Sequence, residues 1–363
     1  MKKHNFSAGP SVLPQEVINQ ASKAIIELDN IGLSLIEISH RSKEFISIME
    51  EATERIIKIT GLENKGYKAI FIQGGASLQF LMTAYNLLEK KAAYINTGTW
   101  SLKAIKEAKI IGEVNEIASS KDKNFNYIPK QYSIPQDSDY VHITTNNTIF
   151  GTQYKSFPDT PVSLIADMSS DIFSRKIDYS KFDLFYAGAQ KNMGPAGVTL
   201  VVIKESILSK VSREIPSMLN YNSYIKAGSM SNTPPVFAVY TTLLNLRWIE
   251  SQGGLEELEK RNKNKAELLY NEIDKNSCFK GFAAYEDRSY MNVTFTLTDE
   301  NLSDNFNKIW EHNNISGLKG HRSVGGYRAS IYNALPIESV ELLVKCMEQL
   351  EKKLNNKHEH PCQ

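Results

Sequence analysis

Cysteine is scarce in this chain, and its distribution removes most of what cysteine does. Cys278, Cys346 and Cys362 are the only three in 363 residues, and no CxxC pair occurs. Neither a disulfide framework nor a zinc site is expected from such scattered thiols, and a reducing cytoplasm fits them best. The C-terminal HEHPCQ carries a His/Cys cluster with metal-binding chemistry, but at a chain end it reads first as a frayed terminus. Long apolar runs are missing too. None approaches the ~20 residues needed to cross a bilayer. MKKHNFSAGP has no apolar stretch after its lysines, so it does not read as a secretory signal. Charge of one sign is also lacking: 42 Lys and Arg face 41 Asp and Glu, a net +1. That balance argues against a nucleic-acid or membrane-surface protein. A charged ligand must therefore be met by a local cluster. Finally, no G-x-G-x-x-G is present, and GLENKGYK at residues 61–68 lacks the Gly-Lys-Ser/Thr ending of a Walker A loop. Nicotinamide and nucleotide-triphosphate enzymes are accordingly disfavoured.

What is present is a globular composition, 41% hydrophobic and 23% charged, in a chain long enough for about two domains at ~150 residues each. Short apolar runs at residues 67–73 (YKAIFIQ), 140–144 (YVHIT), 162–167 (VSLIAD), 182–187 (FDLFYA) and 198–203 (VTLVVI) predict strands buried on both faces. Helical stretches at 78–90 and 101–111 lie between some of them, which implies an α/β layer with a mainly parallel sheet. Apolar residues at three- and four-residue spacing predict helices over 43–60 (Phe45, Met49, Ala52, Ile56) and 336–354 (Val340, Leu343, Met347, Leu350). From about 255 onward the pattern is helix, strand (291–296), helix, strand (328–331), helix. This predicts a smaller α+β domain with a boundary near 251–262.

The strongest chemical signal is YAGAQKNMGPAG at 186–197, where a strand runs into a Gly- and Ala-rich turn carrying one lysine, Lys191. Crowded and partly desolvated, such an amine has a lowered pKa and becomes a competent nucleophile and base. Taken alone, a lysine in a turn reads as a solvated surface residue, so its neighbours must decide. Asp167 ends the strand VSLIAD, and ligands of α/β sheets sit at the carboxyl ends of strands. Its bland alternative is a helix N-cap. In QGGASLQF at 73–80, Gly74 and Gly75 make the turn, and Ala76 and Ser77 present amides and a hydroxyl at a helix N-terminus. That arrangement suits a phosphate monoester, although a strand–Gly-Gly–helix also serves as a plain connection.

These segments resemble those of the phosphoserine aminotransferases, class V members of the fold-type I pyridoxal-phosphate enzymes. The resemblance is carried in order along the chain by NFSAGPSVLP (5–14), SHRSKEF (39–45), GGASLQF (74–80), ADMSSD (166–171), YAGAQKNMGPAG (186–197), SNTPP (231–235) and GHRSVGGYRASIYNA (320–334). It implies a large cofactor-binding domain over 15–255 and a small α+β domain made of 1–14 and 256–363. It further implies that Lys191 binds pyridoxal 5'-phosphate covalently, that Asp167 pairs with the ring nitrogen, that Trp100 stacks on the ring and that Thr148 bonds its phenolic oxygen. Ala76, Ser77 and Gln190 would hold the cofactor phosphate, joined by Asn232 and Thr233 of a second subunit in a homodimer with shared active sites. His40, Arg41, His321, Arg322 and Arg328 would bind substrate. The implied reaction moves an amino group between L-glutamate and 3-phosphohydroxypyruvate to give O-phosphoserine. A phosphorylated hydroxy-threonine is a further substrate of the same class.

The residue types make independent chemical sense. The substrate carries a phosphate and a carboxylate, and guanidinium forks match both groups bidentately. Two departures from the family pattern stand out: Asn146–Asn147 where Asn-Glu is common, and Ala8 where some members have serine. The rivals are a class V enzyme for a non-phosphorylated substrate, a cysteine desulfurase, which needs a mobile nucleophilic cysteine that none of the three resembles, and a non-catalytic protein on the same fold.

Overall fold

The computed structural model describes residues 3–359, the last four of them by backbone alone; the side chains of the HEHPCQ tail lie outside the described residues. Seven strands build the main sheet: β1 (Tyr67–Ile72), β2 (Lys91–Asn96), β3 (Glu113–Ser119), β4 (Tyr140–Thr144), β5 (Ser163–Asp167), β6 (Leu184–Gly188) and β7 (Thr199–Lys204). Their order is β3-β2-β4-β5-β6-β7-β1, with β7 antiparallel to both neighbours and every other pair parallel. Strands β4 and β6 are buried at every residue because helices cover both faces of the sheet, which is why they read as unbroken apolar runs.

Two strands of this main sheet escaped the sequence reading for opposite reasons. The edge strand β3, EVNEIAS, is half-exposed and polar, so it carries no apolar run. Strand β2 begins only a few residues after helix α3 (Gly75–Leu87), so its KAAYIN merges with the helical pattern. That helix starts three residues earlier than the apolar periodicity suggests. Gly74 takes the left-handed conformation (φ 99°), which lets the chain turn from β1 directly into the helix.

Helices α1 (Gln15–Ile26), α2 (Lys43–Ile59) and α6 (Val236–Ser251) pack on one face of the sheet; α3, α4 (Thr99–Ile111) and α5 (Tyr221–Lys226) pack on the other. Helix α2 illustrates the local logic. Ser42 caps it by accepting from the Phe45 N–H at 3.4 Å, Glu44 sits in the first turn, and Lys58 in the last. Its stripe of Phe45, Ile48, Met49, Ala52 and Ile56 is buried, each large side chain contributing roughly 1.5–3 kcal/mol.

A separate apolar core gathers Phe6 with residues from Ala266 to Leu350. It is built by α7 (Gly254–Lys275), α8 (Ser303–His312), α9 (Ile337–Glu359) and an antiparallel sheet of β8 (Phe279–Gly281), β9 (Asn292–Leu297) and β10 (Tyr327–Ser330), in the order β10-β9-β8. The first residues of the chain join this part, since His4–Asn5 pair with Ile315–Ser316. Among the described residues, no helix is long and apolar enough to cross a membrane.

Candidate active site

The parallel strands deliver their carboxyl ends to one edge of the sheet, and each end carries a site residue: Thr144 ends β4, Asp167 ends β5, and Gln190–Lys191 follow β6. They open into a cavity of about 350 Å³ that also receives Ala76, Ser77, Trp100, Thr148, His321 and Arg328. A wider cleft of about 700 Å³, lined by Lys155, Phe157 and Glu286 among others, contains none of these groups.

Lys191 sits half-buried in a turn tied by the Gly194 N–H to Ala189 O bond at 2.8 Å and by the Ser11 N–H to Gln190 O bond at 2.9 Å. Its Nζ donates to Thr148 Oγ1 at 2.8 Å. Burial lowers its pKa to about 8; Asp167 opposes that shift and Arg328 adds to it. A Cβ on Gly9 would stand 3.3 Å from the lysine Cγ, so glycine leaves the room this side chain occupies. Asp167 is 4% exposed, and burial raises its pKa despite the 2.9 Å bond from the Ser169 N–H. A buried carboxylate this poorly compensated is stabilised by a cationic hydrogen-bond donor in the cavity.

The first turn of α3 has neither an acidic residue nor a side-chain cap, which leaves the amides around Ala76 and Ser77 directed at the cavity. Gly98 (φ 148°) swings the chain into α4 and brings Trp100 over the site, its ring centroid 5.7 Å from Lys191 Nζ. On the opposite wall Arg328 donates to Thr148 O at 3.3 Å. Its Nε is buried without an acceptor, and among the described residues no carboxylate pairs with it. Beside it, partial burial lowers the pKa of His321, with Arg328, Arg322 and Lys103 adding to the effect.

The chain thus brings nine of the sequence-derived residues to one cavity: Ala76, Ser77, Trp100, Thr148, Asp167, Gln190, Lys191, His321 and Arg328. It does not bring the other five there. Asn232 bonds Gln73 Oε1 at 3.3 Å, and Thr233 O accepts from Gln73 Nε2 at 2.9 Å. His40 is buried with Nε2 unpartnered, while Arg41 and Arg322 are exposed. The cavity also has walls to which the sequence assigned no role: Gly9, Ser169 and Ser170, together with Ala8 and Asn146, which stood out only as departures from the family pattern. The two serines lie in the ADMSSD motif itself, so a signal for them was at hand.

The family described as Aminotransferase class-V matches residues 3–343. The chain belongs to the class-V aminotransferases.

Among relatives of this class-V aminotransferase, the phosphoserine aminotransferase of Flavobacterium psychrophilum is 60% identical over 98% of this chain and 100% of its own. That of Bacteroides fragilis is 55% identical over 97% and 99%. The solved phosphoserine aminotransferase of Bacillus circulans subsp. alkalophilus superposes with a TM-score of 0.94 at 45% identity, covering 97% of this chain and 99% of that one. A second, described through radiation damage of its Schiff base, gives 0.94 at 43% identity. The architecture is therefore the fold-type I aminotransferase fold. Pyridoxal phosphate is the cofactor of this class, and the cavity fits it. It offers a reactive lysine, a buried carboxylate that needs a protonated partner, an indole face, and an uncapped helix terminus for a phosphate.

Proposed function

We propose that this chain transfers the amino group between L-glutamate and 3-phosphohydroxypyruvate, giving O-phospho-L-serine and 2-oxoglutarate in L-serine biosynthesis. The observation that carries this reading is Arg328: a half-buried guanidinium whose Nε is shut away without an acceptor, with no carboxylate paired to it among the described residues, facing the cavity that holds Lys191. Burying a charge without a counter-ion is costly, so the geometry suits a substrate that brings the anion with it. The names of the relatives point to the same substrate.

Pyridoxal phosphate, when bound, supplies a ring that accepts electrons from the substrate α-carbon. Asp167, buried at the strand end, would pair with the ring nitrogen and keep it protonated. Ala76, Ser77 and Gln190 would hold the phosphate, Trp100 would orient the ring face, and Thr148 would position the phenolic oxygen. Lys191 Nζ, with a pKa near the working pH, takes a proton from the substrate α-carbon and returns one. Arg328 and His321, with Arg322, His40 and Arg41, bind the substrate's anionic groups and keep water away from the moving proton.

The five residues outside the cavity support a homodimer in which a second copy completes the site, Asn232 and Thr233 reaching the cofactor phosphate across the interface. An exposed apolar surface around α1, with Ile26 82% and Ile36 63% exposed, offers a face for that contact. The two separate cores support the division into a large domain (15–255) and a small one (1–14 with 256–363). The scattered cysteines support a cytoplasmic location. Assaying the purified enzyme with glutamate and either 3-phosphohydroxypyruvate or a non-phosphorylated keto acid tests the assignment. Turnover at least 100-fold more efficient with the phosphorylated acceptor is expected, and equal turnover would refute it.

A further inference from the structure

The part of the molecule that bears Arg328 and the part that bears Lys191 have separate cores, yet their two side chains must sit at a fixed spacing to share one substrate. A buried polar clasp holds that spacing. Asn192 follows Lys191 directly and is 4% exposed. Its Oδ1 accepts from the Asn333 N–H at 3.0 Å, and its Nδ2 donates to Ile172 O at 3.1 Å. Its own carbonyl accepts from Asn245 Nδ2 at 2.8 Å. Asn333 lies five residues beyond Arg328, on the chain leaving β10. Its side chain donates to Phe173 O at 2.9 Å and accepts from Asn262 Nδ2 at 2.8 Å. Between them Tyr332 donates to Ala8 O, on the cavity wall, at 2.7 Å.

We propose that Asn192 is a positioning residue that, through its bond to the Asn333 backbone, sets the distance between Lys191 and the anion-binding Arg328. The chemistry requires an amide here. One oxygen must accept from the strand exit while one N–H₂ anchors to Ile172, so a single side chain joins the lysine turn, the segment after Asp167, and the arginine strand. Every bond named for Asn192 and Asn333 is buried, so losing one leaves an unpaired partner that shifts the chain rather than finding water. None of these asparagines lines the cavity. Their effect must pass through Lys191 and Arg328.

The inference rests on the substrate reading above, and its test separates the two. In the holoenzyme dimer, N192A is expected to raise KM for O-phosphoserine and the dissociation constant of inorganic phosphate about tenfold, with a smaller fall in kcat. N262A, at the far end of the clasp, should raise both about threefold. A double-mutant cycle with R328M is decisive, because residues acting through one another are non-additive. N192A should have less than a twofold effect on phosphate affinity in the R328M background. A full tenfold effect there, or an unchanged dissociation constant in both N192A and N262A, would overturn the proposal. If N192A does not fold, the cycle is run with N262A, where a threefold effect lost in R328M supports the clasp and one retained refutes it. Wild-type enzyme that ignores phosphorylated acceptors but shows the phosphate coupling would sink the substrate reading alone.

Discussion

Lys191 Nζ donates to the Thr148 hydroxyl at 2.8 Å, while the carbonyl of the same threonine accepts from Arg328 at 3.3 Å. One residue therefore touches both the Lys191 amine and the Arg328 guanidinium. Replacing Thr148 by Val keeps the volume and the backbone carbonyl but removes the hydroxyl. We expect kcat to fall about tenfold, in line with one lost hydrogen bond near a charged group, and KM to stay within about twofold. Thr148→Ser should restore most of the rate. Steady-state kinetics of the three proteins checks this.

Lys191→Ala removes the only lysine that lines the cavity among the described residues. Turnover should drop by at least about 1,000-fold, and the near-ultraviolet and visible absorbance of the lysine–cofactor linkage should vanish. Wild-type colour and rate in this variant would refute the assignment of Lys191.

The lowered pKa of the Lys191 amine gives a pH prediction for the cofactor-free protein. Its ordinary value is 10.5, and here it is about 8. Labelling of Lys191 by an amine-selective acylating reagent should rise about tenfold per pH unit up to about pH 8 and then level off. Arg328 helps to depress the amine, so R328M should move the inflection upward. An inflection near 10.5 in the wild type would contradict the burial argument.

Lys265 on α7 is 3% exposed, and its Nζ donates to the carbonyls of Ile331, Tyr332 and Leu335 at 3.0, 2.7 and 3.0 Å. Burial lowers its pKa to about 7, against 10.5 in the unfolded chain. The folded value is the lower one, so between pH 7 and 10.5 the unfolded state binds more protons and this group's contribution to stability rises with pH. Lys265→Met should remove that slope and leave the Ile331 and Leu335 carbonyls without a donor, while Tyr332 O keeps the Leu335 N–H, costing about 2 kcal/mol at pH 7. Denaturant titrations at pH 7 and 9 measure both effects.

Gly98 precedes the turn that carries Trp100, at φ 148°, and a Cβ there would overlap the Asn147 amide and the Phe150 ring. G98A should destabilise the protein by about 1–3 kcal/mol and displace the indole. Weakened cofactor binding, seen by equilibrium dialysis, is the expected sign.

Residues that work next to a regular element could be read from the chain. Asp167 at the end of an apolar strand, the Gly-Gly turn before Ala76 and Ser77, and Lys191 in its small-residue turn each carry their own local signal, because burial and turn geometry restrict the residues allowed there. Strand β3 could not be read, since an exposed edge imposes no apolar pattern. Ser169 and Ser170 were missed for a related reason: a polar residue on a cavity wall looks like any loop residue until the opposite wall is in place.

The sequence by itself determined the chemistry at hand. It set a lysine in a crowded turn, an acid at a strand end, a helix terminus suited to a phosphate, and arginines suited to an anion, since each depends on residue type and short-range context. Only the tertiary structure decided how they meet. Lys191 and Arg328 stand 137 positions apart in the chain, and they share one cavity because the strand ends converge and the Asn192–Asn333 bond ties the two parts of the fold together. Distances across a fold are set by packing of elements remote in sequence, and no local pattern encodes them.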